Sequence, residues 1–481
     1  MDDDLLTKFL KLMNSKITDS DLELTALGKS LGLDLISFAD LRASQEDTFA
    51  DEVRNRAIEK MEKEKDNFLK NTHSFYAGSI DFMVSDDLEG KKFFLLEING
   101  GSHRGLSIIT KKQQSLLYDG YFEAIMQASR KKTNKDNKIF ILIGVPVNDG
   151  LIHEKVIMIE YFRKKLKNNG YTVKIFNTDN YDKHFKAEFV FLIADYRQLS
   201  TSITFSNNWI KFNEEEINVL IGDGIPRRLE DENFLKFIKE DFRKINSIIV
   251  NPIFRITDDK SLTYLASYFS KEVLMKYNLR YLLFTKAYTE EELINKLEYL
   301  INTYQRSFII KPRGGSGGAG VMPVSKDEDF LSIKKILEES KKEFYTKFME
   351  NREPYPYTIQ EMAEFSLINW KEGNHTFDLR IYLSQREGKV IPVGGLARIA
   401  RNEYSGRGSL NKQEFVVNLS GYNGQIEVER GIGFSEKNCK LLNLTKDDFV
   451  NMFCIGCVLF ASIVENYETI INFSDWGKIV D

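Results

Sequence analysis

The stretch Ser307-Phe-Ile-Ile-Lys311-Pro-Arg-Gly314-Gly315-Ser316-Gly317-Gly318-Ala-Gly320-Val-Met322 organises the reading of the whole chain. Its opening residues read as a buried strand, glycines then crowd from Gly314 to Gly320, and a second apolar segment follows. Glycine is otherwise sparse, 30 of 481 residues, so the bunching carries information. Such a loop lets successive backbone N–H groups turn toward one point, which suits phosphate oxygens, and a lysine at the strand end supplies a matching cation. No Gly-Lys-Ser/Thr closes it and no helix is expected at its end, so it is not a Walker A loop. A flexible hairpin tip is the alternative reading.

Three other segments invite a similar double reading. In Leu95-Leu-Glu97-Ile-Asn99-Gly-Gly-Ser102-His103-Arg104, alternation puts Glu97 and Asn99 on one strand face. They form a pair of hard oxygen donors suited to Mg²⁺, or simply a strand end entering a Gly-Gly turn. In His375-Thr-Phe-Asp378-Leu-Arg380-Ile-Tyr-Leu, Asp378 and Arg380 share a face, and Val390 to Ala400 offers a partner strand carrying Arg398, with Arg401 just beyond. These charges could form a structural ion pair or hold a metal and a phosphate. Tyr357-Thr-Ile-Gln360-Glu361-Met-Ala363-Glu364 is a strand running into acidic residues. Its backbone could pair with an adenine while a carboxylate takes ribose hydroxyls, or it could be an ordinary strand end.

Around these segments the chain divides by texture. Helical spacing dominates from Leu5 to Asn71, and Ser79 to Asn99 reads as a hairpin. The polar run Arg130 to Lys138 reads as a linker. Ile139 to Val250 alternates short apolar strands with helices, which predicts a largely parallel sheet. No G-x-G-x-x-G follows its first strand, so a dinucleotide site there is poorly supported. Thr289-Glu-Glu-Glu292 and Thr445-Lys-Asp-Asp448 predict capping boxes for two helices.

Composition narrows the function classes. The chain has 67 Lys+Arg against 71 Asp+Glu, a formal net charge of −4, which argues against nucleic-acid binding through a broad basic face. Its length suggests two to four domains. The three cysteines, Cys439, Cys454 and Cys457, cannot staple a chain of this size, so a reducing, cytoplasmic setting is expected. Met452 to Val464 suits a core helix better than a membrane span, and the acidic N-terminus is unlike a targeting peptide. Cys454 and Cys457, spaced like a redox or zinc pair, lie in that apolar helix without a second ligand pair and are expected to be core residues. His73, His153 and His184 have no company that suggests ligands.

Taken together, the motifs resemble those of the ATP-grasp superfamily, whose members hold ATP between two α+β subdomains and join a carboxylate to an amine or thiol. The family pattern is an early lysine, a second lysine before a glycine loop, an adenine-binding hinge, Asp-x-Arg, an arginine and Glu-x-Asn. The matching residues are Lys260, Lys311 with Gly314, Gly315, Ser316, Gly317 and Gly318, the hinge Gln360, Glu361, Ala363 and Glu364, then Asp378, Arg380, and Arg398 or Arg401. Phe415-Val-Val-Asn418 resembles the asparagine segment that follows the arginine. Glu-x-Asn, however, lies at Glu97-Ile-Asn99, far ahead of the rest. That order is similar to circularly permuted members such as eukaryotic glutathione synthetase and permuted peptide ligases.

The resemblance implies an α+β / α/β chain, with a circularly permuted ATP-grasp fold and a Rossmann-like α/β pre-ATP-grasp domain. Residues 1–135 would carry a helical segment and the permuted metal-binding strands, residues 136–250 the substrate-side domain, and residues 251–481 the nucleotide-binding domain. It implies ATP and Mg²⁺, the ion held by Glu97, Asn99 and Asp378, with Arg380, Arg398 and Arg401 as catalytic residues. Ser102, His103 and Arg104 would contact substrate. The expected partners are a small-molecule carboxylate and an amine, an amino acid or peptide, with a carrier-protein thiol as the alternative acceptor, no nucleic acid, no membrane, and a homodimer as a compatible assembly. The expected reaction passes through an acyl phosphate and releases ADP and phosphate. A non-catalytic ATP-binding scaffold or a kinase on the same fold are the rivals. The glycine segment lacks the glutamate that helps hold magnesium in eukaryotic glutathione synthetase, and the alanine- and glycine-rich lid near the C-terminus is missing, so glutathione is not the expected product.

Overall fold

Alternating and continuous apolar runs become three main β-sheets with helices packed on them. The computed structural model describes residues 44–88, 90–100, 105–131, 138–145, 152–177, 186–195, 199, 201–222, 224–315, 317–348, 352–406, 411–415, 417–419 and 427–476. The expected helices around Leu5, Phe9 and Leu12, and most of the expected linker, lie outside these residues.

After a helix at Asp47–Glu62, the chain forms the hairpin of β1 (Ala77–Asp87) and β2 (Gly90–Asn99), then a helix at Lys111–Arg130. The next unit is β3 (Ile139–Val145), a helix at Ile152–Asn168, β4 (Val173–Asn177), β5 (Phe189–Asp195), the small antiparallel strands β6 (Ile203–Ser206), β7 (Trp209–Phe212) and β8 (Glu215–Glu216), then β9 (Val219–Ile221) and β10 (Ile248–Val250). Strands β10, β9, β3, β5 and β4 lie side by side in that order, all parallel. Their near-continuous Ile, Val, Leu and Phe content follows from burial on both faces, with helix Ile152–Asn168 against one of them.

The rest of the chain supplies β11 (Leu279–Arg280), β12 (Phe284–Ala287), β13 (Phe308–Pro312), β14 (Met322–Val324), β15 (Tyr357–Glu361), β16 (Leu367–Trp370), β17 (Gly373–Arg386), β18 (Lys389–Ile399) and β19 (Gly431–Gly433). Strands β12, β15, β13 and β14 form a four-stranded antiparallel sheet, backed by helices Glu290–Tyr304 and Phe330–Phe348 through Leu297, Ile301, Ile333 and Leu337. The largest sheet has the order β11-β2-β1-β17-β18-β19, with β16 also on β17. The early hairpin β1–β2 is thus built into the middle of a sheet whose other strands come from residues 279–433.

That sheet has two different faces. Ile80, Phe82, Phe377, Leu379, Ile381 and Leu383 enter one core with helices Asp47–Glu62 and Lys446–Glu465. The latter helix is long and apolar enough to cross a membrane, but it is largely buried here, and Cys454 and Cys457 are core residues in it. On the opposite face, Tyr382 and Ala77 pack with helix Lys111–Arg130, while Asp81, Asp378 and Arg398 line a cleft. Gly120 lets that helix approach closely, since a Cβ there would lie 2.1 Å from the Tyr76 carbonyl oxygen. Gly120→Ala is accordingly expected to destabilise the fold by about 1–3 kcal/mol, read as a lowered denaturant midpoint.

The capping predictions divide. Thr445 and Asp448 form the reciprocal box. Thr289 accepts from the Glu292 N–H, but the Glu292 carboxylate accepts from the Tyr288 N–H instead of closing the box.

Candidate active site

A cleft lies between the large antiparallel sheet and the four-stranded sheet. One end is apolar, with Met83, Leu96, Ile309, Val321, Pro323, Met362 and Ala363 in its walls. The other end gathers Asp81, Glu97, Lys260, Lys311, Asp378, Arg398, Lys412 and Asn418. Six of these eight are residues that the sequence motifs single out: Glu97, Lys260, Lys311, Asp378, Arg398 and Asn418.

Local backbone irregularity places Glu97. Asp81 pairs with Glu97 and Phe82 with Leu95, so Leu96 is the extra residue of a bulge. The bulge lets both Leu96 and Glu97 line the cleft and leaves the Leu96 carbonyl to accept from Tyr264 and, at 3.3 Å, from Lys311. Lys311, at the end of β13, also donates to the Tyr264 hydroxyl and to Gln360 Oε1, each at 2.6 Å. Burial, then the nearby Lys260, pull its ammonium down to about 7, against the pull of Glu97. Lys260 opens its helix just after the N-cap Asp259 and reaches Gly315 O at 3.2 Å and Glu97 Oε1 at 3.4 Å. Asp259 accepts from the Ser261 and Leu262 N–H groups through Oδ1 and is held through Oδ2 by the buried Lys286 at 2.6 Å. Two ammonium groups and one carboxylate therefore converge beneath the glycine loop.

The floor is a buried quartet of two aspartates and two arginines. Arg380 is bidentate to Asp81, with both bonds at 2.7 Å. Arg398 is bidentate to Asp378, opposite it in register, and also reaches Asp81 Oδ2 at 2.8 Å. Burial opposes ionisation of Asp81, but Arg380 and Arg398 outweigh it and hold the carboxyl below its usual range. Burial prevails at Asp378, which Arg398 alone clasps, and pushes that carboxyl up.

Between β13 and β14 the glycine loop takes φ values open chiefly to glycine, +65° at Gly317 and +73° at Gly320. A Cβ at Gly317 would lie 2.4 Å from Lys347 Nζ. Helix Phe330–Phe348 anchors the loop's far end, with Glu343 accepting from the Gly320 N–H at 3.1 Å and pairing with Lys412 across the cleft. At the apolar end, the N–H groups of Glu361 and Met362 are taken by Leu283 O and Ser307 O, whereas that of Ala363 has no partner among the described residues.

Other expected residues sit differently. The Glu361 carboxylate is engaged by Arg306 and the Leu283 N–H, so it braces the strand. Glu364 is exposed beside Ser85. Arg401 is exposed and bound to Glu427, outside the cleft lining. Asn99 ends β2 with its Nδ2 buried and unpaired. Ser102, His103, Arg104 and Ser316 lie outside the described residues. Sequence reading missed Asp81 and Lys412 as cleft residues, and Tyr264 as the buried hydroxyl that holds Lys311. Only Asp81 left a trace, an acid inside an apolar strand two residues from Ser79.

The described residues hold no cluster of three His, Cys, Asp or Glu side chains fit for a metal ion. A magnesium ion that keeps waters and phosphate oxygens needs only one or two carboxylates. Glu97, about a third exposed and lining the cleft, fits that lesser demand, whereas the unpaired atom of Asn99 is its Nδ2, a donor, so a metal contact from Asn99 would have to come from Oδ1.

No protein-family model and no curated protein matches this sequence. Solved structures similar to it include a glutathione synthetase-like effector from Globodera pallida, at 12% identity and TM-score 0.37, over 75% of this chain and 81% of that one. They also include a D-alanyl-alanine synthetase A from Vibrio cholerae, at 11% identity and TM-score 0.31, over 64% of this chain and 78% of that one. At these TM-scores neither likeness carries an argument about what the cleft of this chain binds.

Proposed function

We propose that the chain is an ATP-dependent ligase with a circularly permuted ATP-grasp architecture, activating a substrate carboxylate as an acyl phosphate and joining it to an amine. One observation carries the reading: Lys260, Lys311 and Glu97 converge under a glycine hairpin, at the polar end of a cleft whose other end is apolar. Adenine fits the apolar end, where the Ala363 N–H is free to donate, and the phosphates fit between the two lysines and the loop. The central position of the β1–β2 hairpin supports permutation, since the hairpin whose second strand carries Glu97 and Asn99 lies, through its first strand, beside the strand carrying Asp378, which follows late in sequence. On this reading residues 1–135 and 251–481 build one nucleotide-binding unit, and residues 136–250 form the substrate side.

Glu97 and Asn99, with Asp378, are the residues that would hold Mg²⁺, which when bound offsets the negative charge of the phosphates. Lys260 and Lys311 bind and orient the phosphates, and Arg398 is placed to stabilise charge on the transferred group. The transfer needs positioning more than a protein nucleophile, which matches a cleft lined by no Cys, His or Ser among the described residues.

The test is incubation with ATP, Mg²⁺ and pooled amino acids and peptides, following phosphate release and identifying products by mass spectrometry. ADP, phosphate and an amide are expected. Release of AMP and pyrophosphate would sink the acyl-phosphate route, and a stable phosphorylated product would make the protein a kinase. Glu97→Gln, which keeps shape but removes the charge facing Lys260, is expected to lower turnover by about 10²-fold or more without unfolding the chain.

A further inference from the structure

The segment that leaves the parallel sheet and runs to Lys260 touches the end of β2 repeatedly. Asn251 directly follows β10 and is fully buried. Its Oδ1 accepts from the Tyr76 N–H at 2.7 Å, while its Nδ2 donates to Ala77 O at 2.6 Å and to Gly100 O at 2.8 Å. These partners settle which way the amide faces, since an N–H must meet the oxygen and the two carbonyls must meet the nitrogen. One side chain thus joins the start of β1, the residue after β2 and the carboxyl end of a parallel strand.

Among the described residues the β1–β2 ladder ends at the pair Ser79 and Asn99, and beyond it the Asn251 amide holds the two chains together. Thr257, on the short helix Phe254–Asp258, packs on Gly100, where a Cβ would lie 2.4 Å from Thr257 Oγ1. Further back on β2, Tyr264 donates to Leu96 O, and Lys260 reaches Glu97 Oε1 at 3.4 Å. Glu97 and Asn99 therefore lie between two anchored carbonyls, Leu96 O and Gly100 O, both held from residues 251–264. The Asn99 Nδ2 has no hydrogen-bond partner among the described residues, so the backbone, and not that nitrogen, sets where the side chain points.

We infer that Asn251 is a positioning residue for the metal-binding end of β2: it fixes Gly100, and through it the placement of Asn99 and Glu97 against Lys260. The inference deepens the ligase reading and rests on it for the words metal and nucleotide. The joint itself stands on the three hydrogen bonds of Asn251. Groups that orient a ligand residue from behind change metal affinity by about 10- to 100-fold when they are lost.

Asn251→Asp tests it, because the shape and the acceptor for Tyr76 stay while the two-donor nitrogen becomes an oxygen with at most one donor. Mn²⁺, a paramagnetic stand-in for Mg²⁺, is titrated into the full chain at a fixed ATP concentration, and the enzyme-bound ion is read by electron paramagnetic resonance. Nucleotide binding without metal is read with fluorescent trinitrophenyl-ATP. The variant is expected to hold Mn²⁺ about tenfold or more weakly, with metal-free nucleotide binding nearly unchanged. Lys311→Met, by contrast, should weaken nucleotide binding with and without metal. Asn67→Asp is the control for lost stability. Asn67 is another fully buried amide, donating to Val390 O at the far end of β18 from Arg398, and its variant should leave Mn²⁺ affinity alone.

Should Asn251→Asp not fold, Gly100→Ala strikes the same joint from the other side by driving a Cβ into Thr257, and adding Thr257→Ala should recover Mn²⁺ affinity. Wild-type Mn²⁺ affinity in Asn251→Asp and Gly100→Ala, or an equal loss in Asn67→Asp, overturns the inference. If the wild type takes up no Mn²⁺ with ATP, the ligase reading falls, and the joint is judged by hydrogen exchange. Faster exchange over residues 76–100 in Asn251→Asp than in Asn67→Asp supports it, and equal exchange overturns it.

Discussion

Lys311→Met is expected to weaken ATP binding by about 100-fold or more, the equivalent of one or two charge-assisted hydrogen bonds. The lysine is buried, so its ammonium has no solvent to compete with a phosphate oxygen, and methionine keeps its length and apolar stem. The chain should remain folded. Gln360 Oε1 and the Tyr264 hydroxyl lose a donor, but the cost of burying a cation beside Lys260 goes too. Because the free ammonium is pulled down to about 7, part of the population is neutral near neutral pH and must take up a proton when an anion arrives. ATP affinity in the wild type should therefore fall as pH rises through 7 and above, and this slope should flatten in Lys311→Met. Titration calorimetry in buffers of different ionisation enthalpy reads both effects. Equal affinity for ATP in both proteins would remove Lys311 from the phosphate site.

Arg398→Met is expected to be the most damaging single change to stability, about 3–5 kcal/mol. Arg398 clasps Asp378 and also reaches Asp81, and all three are buried. Removing it strands two carboxylates with only Arg380 between them. The sign can be checked within the quartet: adding Asp378→Asn to Arg398→Met removes one stranded charge and should recover part of the loss. The urea midpoints of the four proteins in that cycle give the coupling directly. Activity should not recover with stability, since Arg398 also faces the cleft. Additive effects of the two substitutions would mean that the pair is not coupled in the folded chain.

Much of the local architecture was legible in advance because it depends on neighbours in sequence. The strand at Ile139–Val145, the helix ending before Gly170, the hairpin at Ala77–Asn99 and the glycine turn between β13 and β14 follow from periodicity and turn residues. The box at Thr445 was legible for the same reason. The one at Thr289 was not, because the preceding Tyr288 N–H competes for the same carboxylate. In the cleft, Lys311, Glu97, Asp378 and Arg398 could be chosen because their residue types sit at strand ends or on one strand face. Arg401 reads much like Arg398 in sequence, yet the end of β18 turns it outward to Glu427.

The sequence by itself determined which short segments carry chemistry, since backbone preference and alternation act over a few residues. Only the tertiary structure decided that these segments share one site. Pairing of β1 with β17 brings Asp81 to Arg380 across 299 positions of sequence, and the bulge at Leu96 aims Glu97 at Lys260. The state of each charge was likewise beyond the sequence: burial and the opposing guanidiniums set Asp81 below its usual range and Asp378 above it. Both depend on distance and desolvation, quantities that arise only once residues remote in the chain are packed together.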